Sequence, residues 1–146
     1  MKKEKGHDIF ITQRLIKSED LNHHGSLFAG RSAEWFIESG FIAAADYVRP
    51  ENLICVKLHG MHFLKPGHIG DVLCFESKVV LTGKTSFTTY TKVYKRGHAK
   101  HFMVDGFITF VHVTHHTQPK PHGIVIIPKT AEDKRLYNEA KKLKKS

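Results

Sequence analysis

The chain is poor in cysteine, with two among 146 residues, and it has no apolar run approaching the roughly 20 residues of a membrane-spanning helix. Two cysteines exclude a disulfide framework, and Cys55 and Cys74, each inside an apolar stretch, read as small buried hydrophobes of a reducing compartment. The first five residues are mostly lysine with no apolar segment behind them, which is not the pattern of a signal peptide, and a cytoplasmic location is expected. Acid is scarce too: 14 Asp and Glu stand against 23 Lys and Arg, a net charge of +9. Such an excess suggests an anionic partner, yet it lies mostly at the ends, +2 over residues 1–5 and +4 over 129–146, leaving +3 for the rest. Basic ends read first as solubilising, and second as attractive to a phosphorylated ligand or nucleic acid. The organisation expected is one domain over residues 1–128 and a basic C-terminal tail over 129–146, a short helix with Leu136, Ala140 and Leu143 on one side.

What is present is one long apolar segment among strands. Residues 8–17 form an imperfect first strand, and 29–47 an alanine-rich helix bounded by Gly- and Pro-containing loops. That helix is apolar almost all round except for a stripe of Arg31, Glu34 and Glu38, so most of its surface needs cover. Residues 53–63, 72–81, 87–94 and 101–114 alternate as strands, separated by Lys65-Pro66-Gly67, Gly83-Lys84 and Arg96-Gly97, and are expected to run as an antiparallel meander. The fold class is therefore α+β, a curved antiparallel sheet wrapped around a long central helix.

Glu38 has two readings, a carboxylate raised to basic use by an apolar helix, or one member of a solvated stripe. The entry to the helix, Asn22-His23-His24-Gly25-Ser26-Leu27-Phe28-Ala29-Gly30, is polar and Gly-rich, and its unpaired N–H groups suit a developing oxyanion. Gly30 and Glu38 are eight residues apart, about 12 Å along a helix axis, so one helix cannot present both to one carbonyl carbon. A site that uses both needs two antiparallel copies of the helix across a twofold axis.

These residues, with Glu34-Trp35-Phe36-Ile37-Glu38, Phe63-Leu64-Lys65-Pro66-Gly67-His68-Ile69-Gly70-Asp71 and Gly83-Lys84-Thr85-Ser86, resemble over residues 19–113 the hotdog-fold acyl-CoA thioesterases. The resemblance implies hydrolysis of an acyl-CoA to free acid and CoA, without metal or organic cofactor, at the interface of at least a homodimer, with tetramers or hexamers open. It implies that the Gly30 N–H polarises the thioester carbonyl and that Glu38 is nucleophile or general base. Asn22, His23 or His24 would position the thioester or the water, Gly25 would join His23 in binding substrate, and Thr85 and Ser86 would line the same cleft. Lys84, Arg96 and the Lys-rich tail would meet the CoA phosphates. Many relatives carry two glycines after the Phe and an Asp in the helix, and counting from the first lands on Ile37; Ala29 stands there in this chain, and relatives with a Glu eight residues after a single glycine match Gly30 and Glu38.

Two competitors share the pattern. A hotdog hydroxyacyl-thioester dehydratase would pair His24 with Glu38 of the facing subunit, but the Pro-Gly pair of its His loop and the Gly-Asp-x-Asn-Pro run of the hydratase branch are both missing. A non-catalytic acyl-CoA or nucleic-acid binding module would suit the charge, but Phe87, Tyr90 and Tyr94 fall on both strand faces and make no stacking platform. Twelve histidines invite a metal. His59 and His62, three apart on a regular strand, are expected on opposite faces, and His98 and His101 find no third ligand, so no metal site is expected.

Overall fold

The computed structural model describes residues 3–5 and 8–145. In chain order they form β1 (Lys3–Lys5), β2 (Phe10–Leu15), α1 (Ala29–Ala45), β3 (Leu53–Phe63), β4 (Val72–Thr82), β5 (Ser86–Lys95), β6 (Val104–His112), β7 (Ile124–Ile126) and α2 (Ala131–Lys145), with single 3-10 turns at Ser18–Asp20 and Pro50–Asn52. Five strands make one antiparallel sheet in the order β2-β4-β5-β6-β3, and β1 pairs in parallel with β7.

The expected meander is corrected in one place. β3 does not pair with β4; it pairs with β6 at the far edge. The connection at 64–71 is too long for a tight hairpin, and the Leu27 N–H donates to the Gly67 carbonyl at 2.9 Å, so this segment passes over the start of α1. β2 and β3 are thus the two free edges.

The inner face of the sheet packs on α1. Leu73, Phe75 and Val79 of β4, Phe87 and Val93 of β5, and Ile108 and Phe110 of β6 meet Trp35, Phe36 and Ala44. The helix sits close because it has Gly40: a Cβ there would lie 2.9 Å from Thr89 Oγ1 and 3.0 Å from Ile108 Cδ1. Inside this apolar layer, Ser39 Oγ donates to the Phe75 carbonyl at 3.2 Å and meets Ser77 Oγ at 2.7 Å, and Ser77 Oγ meets Thr91 Oγ1 at 2.5 Å, so the three buried hydroxyls satisfy one another. The outer face is covered by the C-terminal helix. Leu136 and Ala140, both buried, complete a second apolar cluster with Val80, Leu81, Tyr90 and Phe107, and Lys78 pairs with Asp133 at 2.8 Å.

Two further expectations are corrected. The register of β3 against β6 shifts between Leu58 and Met61, where Gly60 has φ +128°, a conformation that favours glycine. The bulge turns His59 and His62 to one cavity, which Asp105, Glu139 and Lys142 also line. Cys55, on an edge strand, is exposed, whereas Cys74 is buried. No described helix is long and apolar enough to cross a membrane.

Candidate active site

Asn22 builds the loop that leads into α1. Its Oδ1 accepts from the N–H groups of His24 (2.9 Å) and Ser26 (3.2 Å), its Nδ2 donates to Ser26 Oγ (3.2 Å), and Gly25 turns the chain at φ +81°. The amide of Asn22 is therefore used within the loop, and it holds His23 and His24 out in solvent with their rings 3.9 Å apart. The Phe28 N–H then donates to the carbonyl of Asp20 at 2.8 Å, which fixes the entry into the helix.

The N-terminus of α1 has no side-chain cap. The N–H groups of Arg31 and Ser32 both donate to the Phe28 carbonyl, at 3.0 and 3.1 Å, while those of Ala29 and Gly30 find no acceptor among the described residues. Two unpaired donors at the positive end of a 17-residue helix make a place for developing negative charge. The Phe28 ring lies against Gly30, so that a Cβ there would come within 2.5 Å of it.

Glu38 is exposed on the solvent side of the same helix and is paired with Arg14 of β2, whose guanidinium lies 5.5 Å from the Trp35 ring centroid. Trp35 packs edge-on against Phe75 of β4, and Phe41 edge-on against Phe110 of β6, which identifies the two flanks of α1. Ile37 and Glu38 point about 100° apart. Ile37 packs into the core, and Glu38 leans to the β2 flank.

Two cavities lie beyond the helix N-terminus. One of about 240 Å³ is apolar, walled by Leu27, Phe63, Leu64, Leu73, Val93 and Met103. Ser32 also lines it, a residue only 2% exposed whose hydroxyl has no partner among the described residues. A second, of about 270 Å³, shares Lys65, Pro66 and Met103 with the first and is lined by basic side chains. Asp71 sits in its wall. Burial alone would raise the Asp71 carboxyl, but the His68 N–H at 2.9 Å and Lys95 at 3.3 Å outweigh it and hold the group below the usual carboxylate range.

Other residues singled out in the sequence lie at the opposite end. Tyr47, just beyond α1, stacks on Phe87 with ring centroids 6.1 Å apart, so the start of β5 belongs to the helix C-terminus. The Thr85 carbonyl accepts from the His112 N–H at 2.7 Å, and Ser86 is buried with its hydroxyl accepting from Lys144 of α2 at 3.2 Å. The Lys84 carbonyl accepts from the His122 N–H at 3.2 Å. Within one protomer these three do not share a cleft with Gly30, which lies about 25 Å away along α1. Arg96 is at the Gly30 end but reaches over the sheet to Gln13 Oε1 at 3.5 Å. Within one protomer no hydrogen bond joins His24 to Glu38 among the described residues, and the dehydratase pairing would run between subunits. Burial of the His59 ring, 2.7 Å from Thr109 Oγ1, depresses its pKa and favours the neutral form. Among the described residues no group of three or more His, Cys, Asp or Glu is placed to hold a metal ion.

Sequence reasoning does not single out Arg14, Ser32 or the basic cavity. Ser32 has a signal, a hydroxyl two positions after Gly30 on the buried side of an apolar helix. The cavity has none, because its walls come from segments some thirty residues apart.

A family model described as "Thioesterase superfamily" matches residues 24–100. The protein "Uncharacterized acyl-CoA thioester hydrolase YkhA" of Bacillus subtilis is 31% identical over 128 residues, 83% of this chain and 71% of that protein. "Acyl-CoA thioester hydrolase YciA" of Escherichia coli is 29% identical over 84 residues, 58% of this chain and 63% of YciA, so the match spans a little under two thirds of that relative. Among solved structures, "Apo-Hexameric Acyl-CoA Thioesterase" superposes with a TM-score of 0.84 at 28% identity, covering 94% of this chain and 88% of that one.

Proposed function

This chain belongs to the thioesterase superfamily, and from that membership we propose that it is an acyl-CoA thioester hydrolase, releasing free acid and CoA from a site that two protomers share. The observation that carries the reading is the pair of unpaired amides at Ala29 and Gly30, beyond which an apolar cavity adjoins a basic one. A thioester carbonyl set at those amides places the acyl and pantetheine portions along apolar walls and the phosphates toward cations.

Glu38 supplies the carboxylate. As a general base it takes a proton from water, the resulting hydroxide adds to the carbonyl carbon, the oxyanion rests on the two amides, and collapse expels the CoA thiolate, which is then protonated. As a nucleophile it displaces the thiolate itself, and water then cleaves the anhydride. In both routes Arg14 pairs with the carboxylate and orients it. Water is the only co-reactant, so the chemistry calls for no metal or organic cofactor. Two free cysteines fit a reducing, cytoplasmic setting.

The second copy follows from the spacing. Glu38 lies about 12 Å along the axis from its own Gly30 and leans away from the β3 edge, so the copy that brings its Glu38 to this Gly30 covers the solvent face of α1. A homo-oligomer agrees with a hexameric thioesterase among the solved structures of this fold, and β3 leaves Ile54 and Val56 exposed on a free edge. The test is thiol release from a panel of acyl-CoAs by the wild-type protein and by Glu38→Gln. Release by the wild type with loss in the variant is expected, and equal rates would remove Glu38 from the mechanism.

A further inference from the structure

Two buried hydroxyls find no partner among the described residues, Ser32 Oγ and Thr89 Oγ1. Thr89 is explained by packing: it lies beneath Gly40, where even a Cβ would come within 2.9 Å of its oxygen, so the space around it is closed. Ser32 differs. It lines the apolar cavity of about 240 Å³ beyond the start of α1, although the residue is only 2% exposed. A buried serine in a helix can return its hydroxyl to the carbonyl four residues back. Here that carbonyl belongs to Phe28, and it already accepts from the N–H groups of Arg31 and Ser32 at 3.0 and 3.1 Å, so both of its lone pairs are in use. The cavity walls offer no substitute. Leu27, Phe63, Leu73, Val93 and Met103 are apolar, and Lys65, the other polar side chain among the lining residues, is exposed and brings donors alone. An unpaired hydroxyl in such a place lowers stability, and alanine would suit the helix better. Ser32 also takes no part in the hydrolysis proposed above, which uses the amides of Ala29 and Gly30 and the carboxylate of Glu38.

We propose that Ser32 is a specificity-determining residue whose hydroxyl pairs with a hydroxyl on the third carbon of the acyl chain, so that the substrate class is the 3-hydroxyacyl-CoA thioesters. Position sets the carbon. Ser32 follows Gly30 by two residues, about 3 Å along the helix axis, which is roughly the span of two carbon–carbon bonds. With the thioester carbonyl on the Gly30 amide and the chain directed into the apolar cavity, the carbon level with Ser32 is the second beyond the carbonyl carbon. Because the Cα–Cβ bond of a helical residue tilts toward the N-terminus, the Ser32 hydroxyl leans to the amide end, where the chain enters. Serine both donates and accepts, and a hydroxyl on the chain matches it in both roles. An unsubstituted chain fills the same walls but leaves Ser32 unpaired, and a site with a buried polar group to satisfy discriminates against the analogue that lacks its partner. This assignment rests on the acyl-CoA reading and adds to it what the acyl chain must carry.

The wild type and Ser32→Ala, a substitution that suits the helix and removes only the hydroxyl, are assayed for thiol release from butyryl-CoA and from each enantiomer of 3-hydroxybutyryl-CoA. Binding of the corresponding non-hydrolysable amides is measured by calorimetry in parallel. In the wild type, kcat/KM for the better hydroxyacyl enantiomer is expected to exceed that for butyryl-CoA by roughly tenfold or more, and in Ser32→Ala the ratio should fall to about one. The melting temperature of Ser32→Ala should equal or exceed that of the wild type, which shows that the change in ratio is not a loss of fold. A wild type without the preference, or a preference that survives in Ser32→Ala, overturns the assignment while hydrolysis itself stands. If the wild type releases thiol from neither thioester, tighter binding of the hydroxylated amide that is lost in Ser32→Ala upholds the role of Ser32 and overturns the hydrolase reading instead, and equal binding of the two amides overturns both.

Discussion

Arg14 of β2 pairs with Glu38 of α1 while its guanidinium lies 5.5 Å from the centroid of the Trp35 ring, so the one residue spans an edge strand, the central helix and the core. The pair is exposed at both ends, with side chains 40% and 53% accessible, and exposed pairs contribute only about 0–1 kcal/mol. Glu38→Gln should therefore leave the melting temperature almost unchanged and lower kcat by at least about 100-fold. Calorimetry and thiol release on the same sample check it; a large loss of stability would recast Glu38 as structural.

The tail helix is part of the fold. Leu136 is fully buried between α2 and the outer face of the sheet, and Leu136→Ala should cost about 2–5 kcal/mol in denaturant unfolding. A variant as stable as the wild type would mean that α2 does not stay docked in solution.

The bulge in β3 is held by Gly106 of β6, where a Cβ would fall 2.1 Å from the Gly60 carbonyl oxygen. That atom belongs to backbone and cannot rotate away. Gly106→Ala should destabilise the protein by about 1–3 kcal/mol or more and shift the amide signals of His59–His62, while an unperturbed spectrum would show that β3 pairs without the bulge.

Asp71 gives a pH dependence of known sign. Its carboxyl lies below the ordinary value in the folded protein, so its contribution to stability is present above the unfolded pKa of about 3.9 and is lost as pH falls through the lower folded value. Asp71→Asn should be less stable than the wild type near neutrality and should converge with it in acid. Curves that stay parallel down to the acid limit would contradict the assignment.

Much of the fold is legible in the amino-acid sequence. Helix α1 stands out because Trp35, Phe36 and the alanine run give a long helical period, and β4 to β6 because short Gly turns separate alternating segments. The route of β3 is not legible, because strand periodicity says which residues pair but not with which neighbour, and the Lys65-Pro66-Gly67 run reads as a turn whether it doubles back or crosses. Gly60 inside a strand pattern is the available sign of a bulge, and without weighing it His59 and His62 fall on opposite faces. For the site, Gly30 stands out from its place at a helix entry. Its separation from Thr85 and Ser86 within one protomer depends on the direction of β5 relative to α1, which the motif order does not contain.

The central claim, one site made from Gly30 of one protomer and Glu38 of another, is tested most directly by subunit complementation. Gly30→Pro removes one amide donor in the first turn of the helix, where the exposed Phe28 ring has to swing aside for the new side chain, and Glu38→Gln removes the carboxylate; each variant alone should release thiol far more slowly than the wild type. After the two are mixed and allowed to exchange subunits, half of the dimers are mixed and each holds one intact site, so activity should recover to about a quarter of the wild-type value. A mixture as inactive as its components, under conditions where exchange is demonstrated, would contradict the account.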